Sequence, residues 1–301
     1  MDPRHFARLM SLAEFDEIVA TTALRHPYFR IFRAGQLVPV DQTTTSRQLG
    51  PDLDSGLADL NKLYDEYGDG GTLALQAAER WWPPLRDLAR DFQEEFGFPA
   101  QVHVYLTPAS AQGAPVHYDT HDVFVLQIEG KKAWDVWAPI RVLPMRMNED
   151  SYDQSAVSER AKSDPRLSVT LEAGDTLYLP RGYIHKARTG ATSSLHVTVS
   201  IMVERWIDVA RSAVSHRLAQ LRDEPSLRRS ITYGRAPMAP PSASESDEYQ
   251  AALKLLLDPL ESDLRAALKA TSRQGPQYVT ASARGQVADV AQRWAASRAA
   301  E

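Results

Sequence analysis

The sequence predicts a mainly β core with helices (α+β): a double-sheet jelly roll or related barrel, with N-terminal helices and a C-terminal helical region. Three observations carry that expectation. Apolar residues recur at helical spacing before about residue 100, alternate with polar ones from there to about residue 203, and return to helical spacing afterwards. Turn signals punctuate the alternating part at the density of a β-sandwich or barrel. The chain therefore reads as a core region with its N-terminal helices, 1–204, and a helical accessory or dimerisation region, 205–301.

The elements follow in order. Ser11-Leu12-Ala13-Glu14 has capping-box spacing, and Leu12, Phe15, Ile18 and Val19 continue a helix. Phe29 to Val40 fits one or two short strands broken at Gly35. Beyond a Thr-rich stretch, Asp54 is placed to cap a helix carrying Leu57, Leu60, Leu63, Tyr64 and Tyr67, ended by Gly68-Asp69-Gly70-Gly71. Trp81-Trp82-Pro83-Pro84 interrupts a short helix, and Leu85, Leu88, Phe92 and Phe96 resume the period until Gly97 and Pro99.

Val102, Val104 and Leu106 then alternate with His103, Tyr105 and Thr107, and Pro108 to Pro115 forms a loop. Val116 to Ile128 and Ala133 to Trp137 read as strands joined by a hairpin at Glu129-Gly130-Lys131-Lys132. Residues 139–167 are polar and irregular, a long insertion. Strands resume at Leu167 to Leu171, Thr176 to Leu179, Tyr183 to Arg188 and Ser194 to Val203. In the tail, Ile207, Ala210, Val214, Leu218 and Leu221 form one apolar stripe. A Pro- and Ser-rich linker, Gly234 to Ser244, precedes a second helical region with a fresh start at Asp258-Pro259.

Composition narrows the function. A hydrophobic share of 43% and a charged share of 24% are those of an ordinary soluble protein, and a net charge of -5 gives no global reason to expect nucleic acid. No apolar run approaches the roughly 20 residues that cross a bilayer, and Met1 to His5 does not open a signal peptide, so no membrane partner and a cytoplasmic location are expected. The chain has 0 cysteines, which leaves histidine and carboxylate as the ligands for any transition metal.

One stretch supplies such ligands. His117-Tyr118-Asp119 opens an apolar run, and residues at i and i+2 of a strand share a face. His185, after the Pro180-Arg181-Gly182 turn, is the best third candidate. Two imidazoles and a carboxylate on one side of a metal suit non-haem Fe(II), with positions left for a bidentate co-substrate and O2. His121 and Asp122 are in principle able to replace members of the first pair, and we read His121 as a supporting residue. His196, on an apolar strand, reads as a hydrogen-bonded core histidine. Lys132 either points into the barrel, with Lys131 outward, to pair with an acidic co-substrate, or is a solvated turn lysine.

Four blocks in order extend this reading: Thr107 to Gly113, His117 to Gln127, Glu129 to Trp134, and Gly174-Asp175 through Pro180 to His185. Together they resemble the JmjC cupins of the ribosomal oxygenase type over roughly residues 100–203. The resemblance implies a double-stranded β-helix and an Fe(II)- and 2-oxoglutarate-dependent oxygenase that hydroxylates a side chain of a protein or peptide. It implies His117, Asp119 and His185 as catalytic metal ligands and Lys132 as the partner of the distal carboxylate of 2-oxoglutarate. Tyr105, Thr198 and Ser200 match polar positions around the co-substrate, and the C-terminal helices imply a homodimer. The chain departs from the pattern at His103, where members often carry asparagine. A metal-dependent cupin isomerase or lyase, which releases no succinate, and a non-catalytic peptide-binding cupin are the alternatives.

Overall fold

The capping box read at Ser11 is formed, with Ser11 Oγ accepting from the Glu14 amide and Glu14 Oε2 accepting from the Ser11 amide. It opens α1 (Leu12–Thr21), which buries Phe15, Ile18 and Val19. The computed structural model describes residues 5–145, 152–225, 227–228, 254–255 and 262. Its contacts divide the chain into two units, one running through Val203 and one opening at Glu204.

Strands β1 (Phe29–Arg33) and β2 (Gln36–Leu37) turn at Gly35, and β3 (Thr44–Leu49) and β4 (Asp52–Ala58) form a separate hairpin. That hairpin corrects the helix expected from Asp54. Asp54 ion-pairs with Arg25, and Gly56 takes φ +73°, outside the helical region. The helix α2 (Leu60–Gly68) starts five residues later from Asp59, whose carboxylate accepts from the Lys62 amide at 3.4 Å. After β5 (Thr72–Leu75), α3 (Pro83–Phe96) has Pro83 at its first position and ends at Gly97 with φ +71°. The first hundred residues thus hold strands as well as helices. Strands of two to seven residues are too short to show a period of their own.

The core strands are β6 (Ala100–Thr107), β7 (Asp122–Trp137), β8 (Leu167–Glu172), β9 (Thr176–Leu179), β10 (Ile184–Arg188) and β11 (Ser194–Ile201). Helix α4 (Gln154–Arg160) lies inside the 139–167 insertion. Strands β2, β1, β5, β6, β11 and β7 pair in that order, with β9 on the first half of β7. Strands β8 and β10 flank its second half, all antiparallel.

The hairpin expected at Glu129 to Lys132 is not formed, because β7 runs straight through it. Gly130, at φ +69°, supplies one left-handed residue, which bends the strand without reversing it. Its amide plane lies against β11 so closely that a Cβ at residue 130 would stand 1.9 Å from the Ser193 carbonyl oxygen. One strand thereby serves both sheets.

Alternation sorts the core strands into two faces. Val102, Val104, Leu106, Phe124, Leu126, Leu195, Val197, Val199 and Ile201 join one buried cluster with α1 and α3. Phe92 and Phe96 of α3 meet the Phe124 ring at 5.3 and 5.4 Å, and the buried Phe92 and Phe124 each contribute about 2–3 kcal/mol. The opposite face carries His103, Tyr105, Thr107, His196 and Thr198, so the polar half of the pattern points into the barrel.

In the second unit, α5 (Trp206–Gln220) buries only Ala213. Two members of its expected stripe are exposed, Ile207 at 46% and Leu218 at 51%. The linker at 234–244 and the helix start at Asp258 lie outside the described residues. Among the described residues, no helix is long and apolar enough to cross a membrane.

Candidate metal centre

His117 and Asp119 stand just before β7 rather than on it, so strand alternation does not bring them together. A backbone bridge does: the His117 amide donates to the His185 carbonyl at 3.1 Å and the His185 amide to the His117 carbonyl at 2.7 Å. Residues that exchange both hydrogen bonds sit directly opposite, and the two rings approach to 4.4 Å between centroids. The Gly182 amide donates to the Asp119 carbonyl at 2.8 Å, tying the Pro180 to Gly182 turn to the third residue.

The ring nitrogens are oriented by carbonyls. His117 Nδ1 lies 2.7 Å from Pro115 O and His185 Nδ1 lies 3.0 Å from Tyr183 O. A carbonyl only accepts, so each Nδ1 carries a proton, and Nε2 is the nitrogen whose lone pair the neutral ring offers to a metal. Both Nε2 atoms lie near Asp119, His117 Nε2 at 3.9 Å from Oδ1 and His185 Nε2 at 3.6 Å from Oδ2. One ligand atom from each of the three residues lies within 4.8 Å of the others.

Burial, and next the His117 ring, push the His185 imidazole down to about 4, so it is neutral at physiological pH. Burial alone would raise the Asp119 carboxyl, but the neighbouring histidines, His117 foremost, outweigh it and hold the group below its usual value. Neutral imidazole and ionised carboxylate are the states that ligate a metal, and this donor set fits one.

Lys131 and Lys132 separate as alternation requires. Lys131 is exposed and meets Glu172 at 2.5 Å, whereas Lys132 is 3% exposed and donates to Thr107 Oγ1 at 2.7 Å. Thr107 Oγ1 is also hydrogen-bonded to Thr72 Oγ1 at 3.0 Å. Burial pushes the Lys132 ammonium down to about 7, and it has no carboxylate partner among the described residues. An unpaired buried cation is costly, and an anionic ligand would relieve that cost.

Register places the remaining residues. Arg30, Ala74, Tyr105, His196 and Gln127 stand opposite one another in a row across β1, β5, β6, β11 and β7. Tyr105 stacks on the His196 ring at 4.9 Å, and its hydroxyl is pushed up to about 12 by burial and then by Asp119. His103 stands opposite Thr198, and its Nδ1 accepts from the Ala77 amide at 3.3 Å. Burial and then the His121 ring push His103 down to about 4, so it too is neutral. Ser200 is buried but lies six residues along β11 from Ser194, the partner of Thr107. At the usual strand rise that is about 20 Å along β11 from the residue paired with Thr107, so Ser200 stands at the other end of the strand from the Thr107 pairing.

The sequence reading missed Thr107 and Trp134. Trp134 follows Lys132 by two positions on β7 and therefore shares its face, a signal available in the alternation itself. Its ring lies 5.9 Å from His185 and 5.7 Å from His196. The reading of His196 as a hydrogen-bonded core histidine is corrected in one respect: it is buried as read, but among the described residues its Nδ1 has no hydrogen-bond partner.

The fold and the site together define a cupin, a double-stranded β-helix whose mouth holds two histidines and an aspartate. Residues 83–209 match the JmjC domain family. The chain is 30% identical over 236 residues to the bifunctional lysine-specific demethylase and histidyl-hydroxylase NO66 of Drosophila mojavensis, an alignment spanning 74% of this chain and 25% of that protein. It is 33% identical over 204 residues to ribosomal oxygenase 1 of Gallus gallus, spanning 66% of this chain and 31% of that protein. The chain thus spans between a quarter and a third of these curated relatives. Among solved structures, the Escherichia coli ribosomal oxygenase YcfD in complex with cobalt and 2-oxoglutarate superposes with a TM-score of 0.51 at 17% identity. That superposition covers 93% of this chain and 66% of YcfD, and speaks for the fold.

Proposed function

We propose that this chain is an Fe(II)- and 2-oxoglutarate-dependent oxygenase that hydroxylates a side chain of a protein or peptide. The observation that carries the reading is the pairing of one open-sided His117, Asp119 and His185 cluster with the buried cation of Lys132 inside the same barrel. The two Nε2 lone pairs and the carboxylate would hold the iron on one side. Lys132 and Thr107 would hold the far carboxylate of 2-oxoglutarate. When bound, iron supplies the oxidising chemistry, in which O2 and 2-oxoglutarate become succinate and CO2 and one oxygen atom enters a C–H bond of the substrate.

The chain's own residues perform the positioning. Pro115 and Tyr183 carbonyls fix both imidazoles, the bridge between His117 and His185 fixes their separation, and the stacked Tyr105 and His196 rings wall the pocket against water. Residues 152–154 of the insertion pack beside this mouth: Gln154 Nε2 donates to Val116 O at 3.0 Å, and the Tyr152 ring meets Tyr118 at 4.9 Å. With the N-terminal helices, we assign the insertion to the substrate groove. The names of the relatives, ribosomal oxygenase and histidyl-hydroxylase, favour ribosomal-protein side chains as first candidates. The exposed Trp206, Ile207 and Leu218 of α5 support assembly as a homodimer, and we take the protein to be cytoplasmic.

Incubation of candidate ribosomal-protein peptides with the protein, Fe(II), 2-oxoglutarate and O2 tests the reading. The expected result is a peptide heavier by one oxygen, with stoichiometric succinate. Metal-dependent turnover of a small molecule without succinate would instead indicate an isomerase or lyase.

A further inference from the structure

The barrel holds two buried ring nitrogens that the protein itself leaves unused. Trp134 is 5% exposed and His196 3% exposed, yet among the described residues neither Trp134 Nε1 nor His196 Nδ1 has a hydrogen-bond partner. Buried indole and imidazole nitrogens normally find a partner, because leaving one unmade forfeits the solvation it had in water. The two rings touch edge to face at 5.7 Å, and Trp134 also lies 5.9 Å from the His185 ring. Trp134 shares the inward face of β7 with Lys132, two positions before it. The two rings that carry these nitrogens therefore line the inward face of the barrel that also carries Lys132, with the Trp134 ring beside the metal-side His185, where a ligand joining the lysine to the metal cluster would pass.

We propose that Trp134 and His196 are positioning residues for a dicarboxylate: the Trp134 indole N–H donates to it, and the His196 ring nitrogen completes its hydrogen bonding beside Lys132. The inference rests on the reading that a 2-oxo diacid binds between Lys132 and the metal cluster. It extends that reading by naming two side chains beyond the polar positions expected from the sequence. Tyr105, stacked flat on His196 at 4.9 Å, holds the imidazole plane in register for this contact. A neutral ring suits the role, because burial and then the Lys132 charge keep His196 well below its ordinary value. The imidazole thus adds a hydrogen bond without adding a second cation.

The test uses Trp134→Phe and His196→Phe in the full chain, which keep aromatic packing and delete the polar atom. Binding of 2-oxoglutarate with Mn(II) is measured by calorimetry without O2, and thermal melting is followed with neither ligand. Lys132→Met serves as the control for the underlying reading. The expected result is crossed: each phenylalanine variant melts at or above the wild-type temperature when ligand-free, and binds 2-oxoglutarate at least about tenfold more weakly. Wild-type affinity in both variants would overturn the proposal while leaving the co-substrate reading intact, provided Lys132→Met has lost binding. A variant that melts lower and loses affinity only in proportion would also overturn it, as a packing role. Failure of the wild type itself to bind 2-oxoglutarate would remove the reading on which the proposal stands.

Discussion

Replacing Lys132 by methionine should make the protein more stable and unable to hold its co-substrate. The ammonium is 3% exposed, hydrogen-bonds Thr107 at 2.7 Å, and is pushed from 10.5 down to about 7 by burial. A depression of that size corresponds to about 5 kcal/mol against keeping the group charged, an upper bound on what its removal can return. Loss of the Thr107 hydrogen bond takes back about 1 kcal/mol, so a gain of about 2–4 kcal/mol at pH 7 is expected from urea unfolding. The sign with pH follows from proton counting. Because the folded pKa lies below the unfolded one, the unfolded chain binds the extra proton between about 7 and 10.5, and this lysine makes wild-type stability rise with pH across that window. The methionine variant lacks that contribution. Its affinity for 2-oxoglutarate should fall by roughly two to four orders of magnitude, about 3–5 kcal/mol for removing one partner of a buried ion pair. A destabilised variant with unchanged affinity would refute the argument, since it would mean the ammonium is neither strained by burial nor facing the ligand.

Three further outcomes follow. Wild-type affinity for 2-oxoglutarate should fall by up to about tenfold per pH unit above 7, since binding then requires proton uptake by Lys132; calorimetry at successive pH values checks this, and Lys132→Met should be flat. His117→Ala and Asp119→Ala should each abolish metal-dependent succinate formation with little change in far-ultraviolet circular dichroism, because neither residue lies on a regular strand. Asp59→Ala should cost about 1 kcal/mol in denaturant unfolding through the lost cap of α2, whereas Asp54→Ala should cost no more than a surface ion pair does, about 0–1 kcal/mol.

Much of the barrel was legible because alternation is a period-two signal that burial on both faces preserves. The alternation read at Val102 to Thr107 is the one the strand uses: Val102, Val104 and Leu106 join the helix-packed cluster, and His103, Tyr105 and Thr107 take the other face. The outward Lys131 and inward Lys132 separated for the same reason. The hairpin at Glu129 to Lys132 failed because Gly-Lys-Lys marks a bend as readily as a reversal. What decides is the packing of Gly130 against Ser193, which local sequence does not contain. The choice between Asp54 and Asp59 failed similarly, since both precede apolar residues and only pairing with β3 makes the first of them a strand residue. The approach of His117 to His185 depends on a backbone bridge between distant loops, so the candidate cluster was readable as residue types and resemblance, not as geometry.

The central claim is that three side chains at the barrel mouth hold one metal ion while Lys132 anchors the far end of a 2-oxo diacid. A crystal structure grown without O2 from protein, Mn(II) and 2-oxoglutarate tests it most directly. The account predicts a metal bound to His117 Nε2, Asp119 and His185 Nε2, chelated by the 2-oxo acid end of a ligand whose other carboxylate meets Lys132 Nζ. Metal bound elsewhere, or a ligand whose distal carboxylate points away from Lys132 into solvent, would contradict it.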